Sequence, residues 1–337
     1  MLGASFLLRS VADASASTAM NRLTWASPLG WVLEVRPFAD ERWWVLGLLV
    51  GVAAVLVAAA VGLLVRRDLG AGLVPPRRGD VVADPSLSGP FGLALRLHRG
   101  TVLAWTIGLF ALGAMYGGVA SGVGDLITQT PELEEIFRLI GGEEALIDAF
   151  LATTVAIAAL LASGFVAAAV LRLRAEEVGL RAEHVLATAV GRVRWALSHT
   201  VVAAAGGALL LAASALGTGL VHGARIADVG AAVPQMVGAA LVQLPAVLVL
   251  GGLALAVFGV APRAAPVVWA ALVAFLVLGQ LGALLQLDQW VMNLSPFTHV
   301  PALPGEPLRA LPLVALTGVA AAFSAVGLVG LRRRDLG

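Results

Sequence analysis

Neither cysteine nor lysine occurs among the 337 residues, tyrosine occurs once, and charged side chains make up only 13% of the chain. Without cysteine there can be no disulfide, no thiolate metal site and no thiol nucleophile. Without lysine there can be no Schiff-base chemistry. The phosphate-binding loop of ATPases, which needs a lysine after its glycines, is excluded as well. Any ATP-driven step in which this chain takes part must therefore draw on an ATPase in another polypeptide. All 22 basic residues are arginine and the net charge is only +1, which offers no electrostatic case for a nucleic-acid partner.

Scarce charge leaves a surplus of apolar residues. Hydrophobic types form 59% of the chain and the mean hydropathy is +0.93, more apolar surface than a water-soluble interior of this size can hide. The apolar runs are unbroken over about twenty residues, the length at which a helix crosses the hydrocarbon, whereas membrane-spanning strands would alternate. These features predict an all-α fold: a polytopic transmembrane helical bundle of about seven spans, at residues 43–65, 101–121, 146–171, 198–221, 235–260, 264–286 and 311–331. The opening Leu2–Leu8 run is too short to span and lacks the flanks of a signal peptide, so it reads as the end of a helix. Trp25 and Trp31 around Pro28 suit a membrane-surface loop. Residues 71–100 read as a linker followed by an interfacial helix, with Leu93, Leu95 and Leu97 beside Arg96 and Arg99.

Arginine placement predicts orientation, because short basic loops stay cytoplasmic. The loops carrying Arg66 to Arg99, Arg172 to Arg194, Arg263, and Arg332 to Arg334 alternate with loops carrying Glu132 to Glu144, Arg225 with Asp228, and Asp288 with Glu306. The chain is expected to be a multi-pass protein of the plasma membrane with its C-terminus in the cytoplasm. Self-comparison adds an internal echo. Ser27-Pro28, the span from residue 43 and Arg66-Arg67-Asp68-Leu69-Gly70 reappear in the same order as Ser295-Pro296, the span from residue 311 and Arg333-Arg334-Asp335-Leu336-Gly337. Read as a duplication, residues 1–70 are the tail of a first copy and residues 101–337 a complete second copy of six spans. The chain would then lack roughly the first five spans of a twelve-span protein.

The most charged stretch runs from Arg172 to His199, between two long apolar runs. As a helix over about 174–195 it would place Val178, Ala182, Val185 and Ala189 on one face and bring Glu177 within reach of Arg181 one turn on. Its charges would then face water or another protein, and reversing Glu177 and Glu183 would separate such a partner without unfolding the chain. Gln243, Gln280 and Asp148 are polar residues within or at the edge of spans, where such groups are expensive and either line a path or bond to a neighbouring helix. Gly113, Gly117 and Gly118 suit close helix packing. The five histidines fall in different loops at no metal-binding spacing, so no metal site is expected, and no catalytic motif appears.

Four stretches carry a resemblance: Arg66-Arg-Asp-Leu-Gly-Ala-Gly-Leu73, Leu171 to Glu177, Arg181 to His199, and Leu294-Ser-Pro-Phe-Thr-His-Val300. Together with the six-span layout they resemble the permease subunits of ABC-2 type exporters, and most closely the fused twelve-span actinobacterial permeases known as exporters of polyketide antibiotics. The resemblance implies that the loop between the second and third spans of the six is a coupling helix docking on an ABC ATPase subunit, with Arg174, Glu176, Glu177, Arg181, Glu183, Arg192 and Arg194 in the coupling positions. It implies ATP-driven export of a hydrophobic or amphipathic small molecule by alternating access. No cofactor would be bound directly, since ATP is used by the partner. The implied partners are the ATPase, an N-terminal permease half, the lipid bilayer and the substrate. An ion-coupled secondary transporter is the first alternative, but it would want ionisable residues in the middles of spans. An inactive truncated membrane scaffold is the second.

Overall fold

Apolar runs rich in alanine, leucine and valine must satisfy their own backbone groups in hydrocarbon, and a helix does so within one segment. The computed structural model describes residues 25, 28–36, 41–65, 87, 89–128, 142–282 and 285–334, and among these all regular structure is helical. It divides into two compact units, residues 1–84 and 85–337.

In the first unit, α1 (Pro28–Glu34) precedes α2 (Trp44–Val65), the first helix long and apolar enough to span a membrane. Pro28 opens a helical turn where a loop was expected, in keeping with proline's fitness for a first helical position. Glu34 binds Arg42 at 3.0 Å and Arg36 at 3.3 Å, and Trp25 stacks on Trp44 with ring centroids 5.7 Å apart. Most of α2 is exposed.

The second unit holds six more membrane-length helical segments. They are α3 (Pro90–Thr128); α4 (Gly142–Val178); α6 (Arg192–Arg225), reached through the short α5 (Arg181–Leu186); α7 (Val229–Val242) joined to α8 (Leu244–Val260); α9 (Pro266–Leu281); and α11 (Ala310–Arg333), which follows the one-turn α10 (Gln289–Met292). The seven expected spans are thus present. The interfacial helix before residue 101 leads into its span without interruption, as a single helix from Pro90 onward. Gly100, the weakest helix former at that junction, is tolerated inside a helix. The linker at 71–84, the first Arg-Arg-Asp-Leu-Gly echo at 66–70, the last three residues of the second, and the acidic loop at 131–141 lie outside the described residues.

The core is built from α4, α6 and α8, with Phe165, Val170, Leu173, Leu210, Leu250 and Phe258 fully enclosed. Lipid tails are as apolar as leucine, so close van der Waals packing of small residues does much of the work of association. Gly113 and Gly117 of α3 lie against the backbone of Ser214 and Thr218 on α6, so close that a methyl group at either glycine would overlap the facing backbone, whereas Gly118 has only a loose neighbour in Val221. Gly259 of α8 meets Gly327 of α11 in the same way. Two of the buried hydroxyls bond within their own helices, Ser163 to the Ala159 carbonyl at 2.7 Å and Thr218 to the Ser214 carbonyl at 3.1 Å, which leaves no polar cost at these contacts.

Candidate functional site

The arginine-rich segments of the second unit meet at one end of the bundle. Arg172 of α4 donates from Nη1 to the Leu97 carbonyl of α3 at 3.1 Å, Arg192 at the start of α6 donates to the Arg334 carbonyl at 2.7 Å, and Arg334 donates from Nη2 to Glu177 at 2.8 Å. The Arg334 guanidinium also lies 5.0 Å from the ring centroid of Phe258, so it ties α11 to α4, α6 and α8 at once.

The stretch expected to form one amphipathic helix over 174–195 is three pieces: the end of α4, the short α5 and the start of α6. Helix α4 continues to Val178, the chain turns at Gly179 and Leu180, and α5 covers only Arg181 to Leu186. Leu180 sits in the left-handed region at φ 58°, unfavourable for a residue with a Cβ, and its side chain is exposed. The turn changes the pairing. Arg181 swings back onto Glu176, with Nε to Oε2 at 2.8 Å, rather than onto Glu177, which is held by Arg334. Glu176 is buried between Arg172, at 3.3 Å, and Arg181. Of the intended apolar face, Ala182 is buried and Val185 half-buried, while Val178 and Ala189 are exposed. Reversing Glu177 would therefore set an arginine against Arg334 and break an internal tie, so it is not a clean probe of a partner surface. Arg174, Glu183 and Arg194 form no ion pair among the described residues, and Glu183 and Arg194 are exposed.

Beside this turn lies a cleft of about 810 Å³. One wall is Arg174, Leu180 and Glu183, and the other is the turn between α8 and α9, with Val260 and Arg263. Val178, Leu180 and Val260 expose apolar surface there at the end of the bundle that also bears unpaired charge.

The structure brings together two histidines that lie 101 residues apart. His98 Nε2 and His199 Nδ1 are 3.2 Å apart and both rings are buried, with Trp195 edge-on to His199 and to Phe258. Nothing in the local sequence marks this pair. Its one legible trace is that each residue stands within five positions of an arginine near the start of a long helix. The three polar residues of the spans occupy different places. Gln243 is buried between α7 and α8 with Oε1 unpartnered, Asp148 is half-buried beside Gly305, and Gln280 is exposed in the last turn of α9.

Residues 87–332, which include every span of the second unit, match the family model described as the multidrug efflux system permease Rv1217c, C-terminal domain. The chain belongs to this family. Across 336 residues it is also 45% identical to the multidrug efflux system permease protein Rv1217c of Mycobacterium tuberculosis, a match that covers 100% of the chain and 61% of that relative. The chain thus spans less than two thirds of the length of the relative. Membership in a permease family fits a multi-pass membrane protein with seven spanning helices.

Proposed function

We propose that this chain is the membrane-spanning part of an ATP-driven exporter of hydrophobic or amphipathic small molecules, driven by a separate ATPase subunit and working with further membrane spans that complete a second half. The observation that carries this reading is the 45% identity, over the whole chain, to a protein named as a multidrug efflux permease. The absence of lysine supports the division of labour, since a P-loop ATPase needs a phosphate-loop lysine that this chain does not contain. Charged residues of the described spans stand towards their ends, which favours a driven permease over an ion-coupled transporter.

The ATPase docks at the end where Arg174, Leu180, Glu183 and Arg263 frame the cleft, and this end faces the cytoplasm, as the arginine excess favours. Gln243, Gln280 and Asp148 are the candidates for contact with the translocated molecule. Alternating access follows if closure of the ATPase dimer pulls on the turn at Gly179 and Leu180 and the bundle re-packs around a central path.

The test pairs transport with docking. Cells producing the permease and its ATPase should accumulate less of an amphipathic dye than cells in which the ATPase has lost its phosphate-loop lysine; equal accumulation would sink the exporter reading. Glu183→Arg with Arg194→Glu should leave the permease inserted yet cut its recovery with the ATPase, because like charges in an interface cost several kcal/mol, of order 3. Single cysteines settle orientation in a chain that has none. Thr188→Cys should be shielded from an impermeant thiol reagent in intact cells and Asp288→Cys should react.

A further inference from the structure

A second concavity, of about 410 Å³, opens between α3, α4 and α9. Its two ends differ in chemistry. At one end Arg172 and Arg181 share the single carboxylate of Glu176. At the other the lining is aromatic, with Trp105, Phe165 and Trp269. Phe165 precedes Arg172 by two helical turns, which sets the aromatic floor about 10 Å along the helix axis from the charged rim. That is the distance from a headgroup to the upper part of an acyl chain, on a protein whose helices lie in a bilayer.

The rim is short of negative charge. Two guanidinium groups to one carboxylate leave one positive charge, and among the described residues the lining holds no second acid. Nor are the donors used up. Arg172 commits Nε to Glu176 and Nη1 to the Leu97 carbonyl, and Arg181 commits Nε to Glu176 and Nη2 to the Ala175 carbonyl. Among the described residues Nη2 of Arg172 and Nη1 of Arg181 remain, on side chains that are 33% and 61% exposed. Trp105 and Trp269 also present open ring surface to the groove.

We propose that this groove binds an anionic phospholipid, its phosphate on Arg172 and Arg181 and its acyl chain along Trp105, Phe165 and Trp269. Guanidinium groups match phosphate oxygens in forked geometry, and an interfacial tryptophan suits the headgroup boundary. A zwitterionic lipid would bring its own cation to a rim that already carries one. The proposal does not depend on which way the bundle faces or on what is exported.

Tryptophan quenching by lipids brominated on the acyl chain tests it in vesicles of phosphatidylcholine. At equal small fractions, brominated phosphatidylglycerol should quench more than brominated phosphatidylcholine, by the roughly five-fold local enrichment expected of one arginine beside anionic headgroups. The excess should vanish in Trp105→Phe with Trp269→Phe, and it should fall to the phosphatidylcholine level in Arg181→Gln, whose target is exposed enough to spare the fold. Equal quenching by the two lipids in the unaltered chain would overturn the proposal, as would an undiminished excess in Arg181→Gln. Inorganic phosphate in the water phase should leave the excess in place; its loss there would mean that the rim takes a free anion and not a lipid.

Discussion

Helix α4 and helix α9 have nearly the same mean hydropathy over their spans, 2.3 and 2.1, yet about two thirds of the first is buried and only about a tenth of the second, 67% against 11%. In water, equal hydropathy would mean equal drive towards the interior. In a bilayer both helices are already in an apolar medium, and what separates them is fit. Helix α4 offers a ladder of alanines, with Ala159, Ala162 and Ala167 wholly enclosed and Phe165 and Val170 seated between neighbours. Helix α9 carries Val267, Trp269, Val273 and Leu276 outward. Small residues thus mark the protein-facing helices here and large ones the outward-facing helix.

The sharpest way to break this contrast is to add bulk on each side of it. Gly113→Leu and Gly259→Leu should each cost about 3 kcal/mol or more, since the backbone of the facing helix must move. Gly279→Leu on α9, where nothing lies near, should leave thermal unfolding in detergent unchanged. Comparable losses at Gly279 would mean that α9 is packed against something the bundle does not show.

The same contrast holds for charge, on a smaller scale. Arg334→Ala strips Glu177 of its partner where both side chains are more than four-fifths covered, and should lower stability by about 2 kcal/mol in the same unfolding measurement. Glu183→Arg, on the exposed face of α5, should not change it. If the two substitutions behave alike, Arg334 is not a tie between helices.

The smallest effect concerns Gln243 and Gln280. Replacing the buried, partly unpartnered Gln243 by leucine should be neutral or stabilising by up to about 1 kcal/mol. Gln280→Leu should be silent. Export assays then discriminate roles: reduced efflux with unaltered melting in Gln243→Leu would assign that amide to the path, and unaltered efflux would leave it a packing residue.

Span number and the clustering of arginine were legible in the sequence, because both are written in unbroken runs and in residue counts per loop. The pairings were not. Placing Glu177 opposite Arg181 assumes an unbroken helix, and the Gly179–Leu180 turn removes that geometry and hands Arg181 to Glu176. Glu177 finds Arg334 at a separation of 157 residues, and His98 finds His199 at 101; no local pattern encodes either meeting. Arg96, His98 and Arg99 resemble a surface helix in composition, yet no strong breaker separates them from the span, so α3 runs straight through. Hydropathy failed to rank burial for the reason given by α4 and α9.

The break at Gln243 makes the fourth span of the second unit a jointed rod. Pro245 has no N–H to offer the Leu241 carbonyl, so one rung of the ladder is missing where α7 gives way to α8. The two segments keep different company: α7 leans mainly on α6, and α8 on α11 and α4. A displacement of α11, which Arg334 fastens to the arginine-rich end, would reach α8 first and need not carry α7 with it.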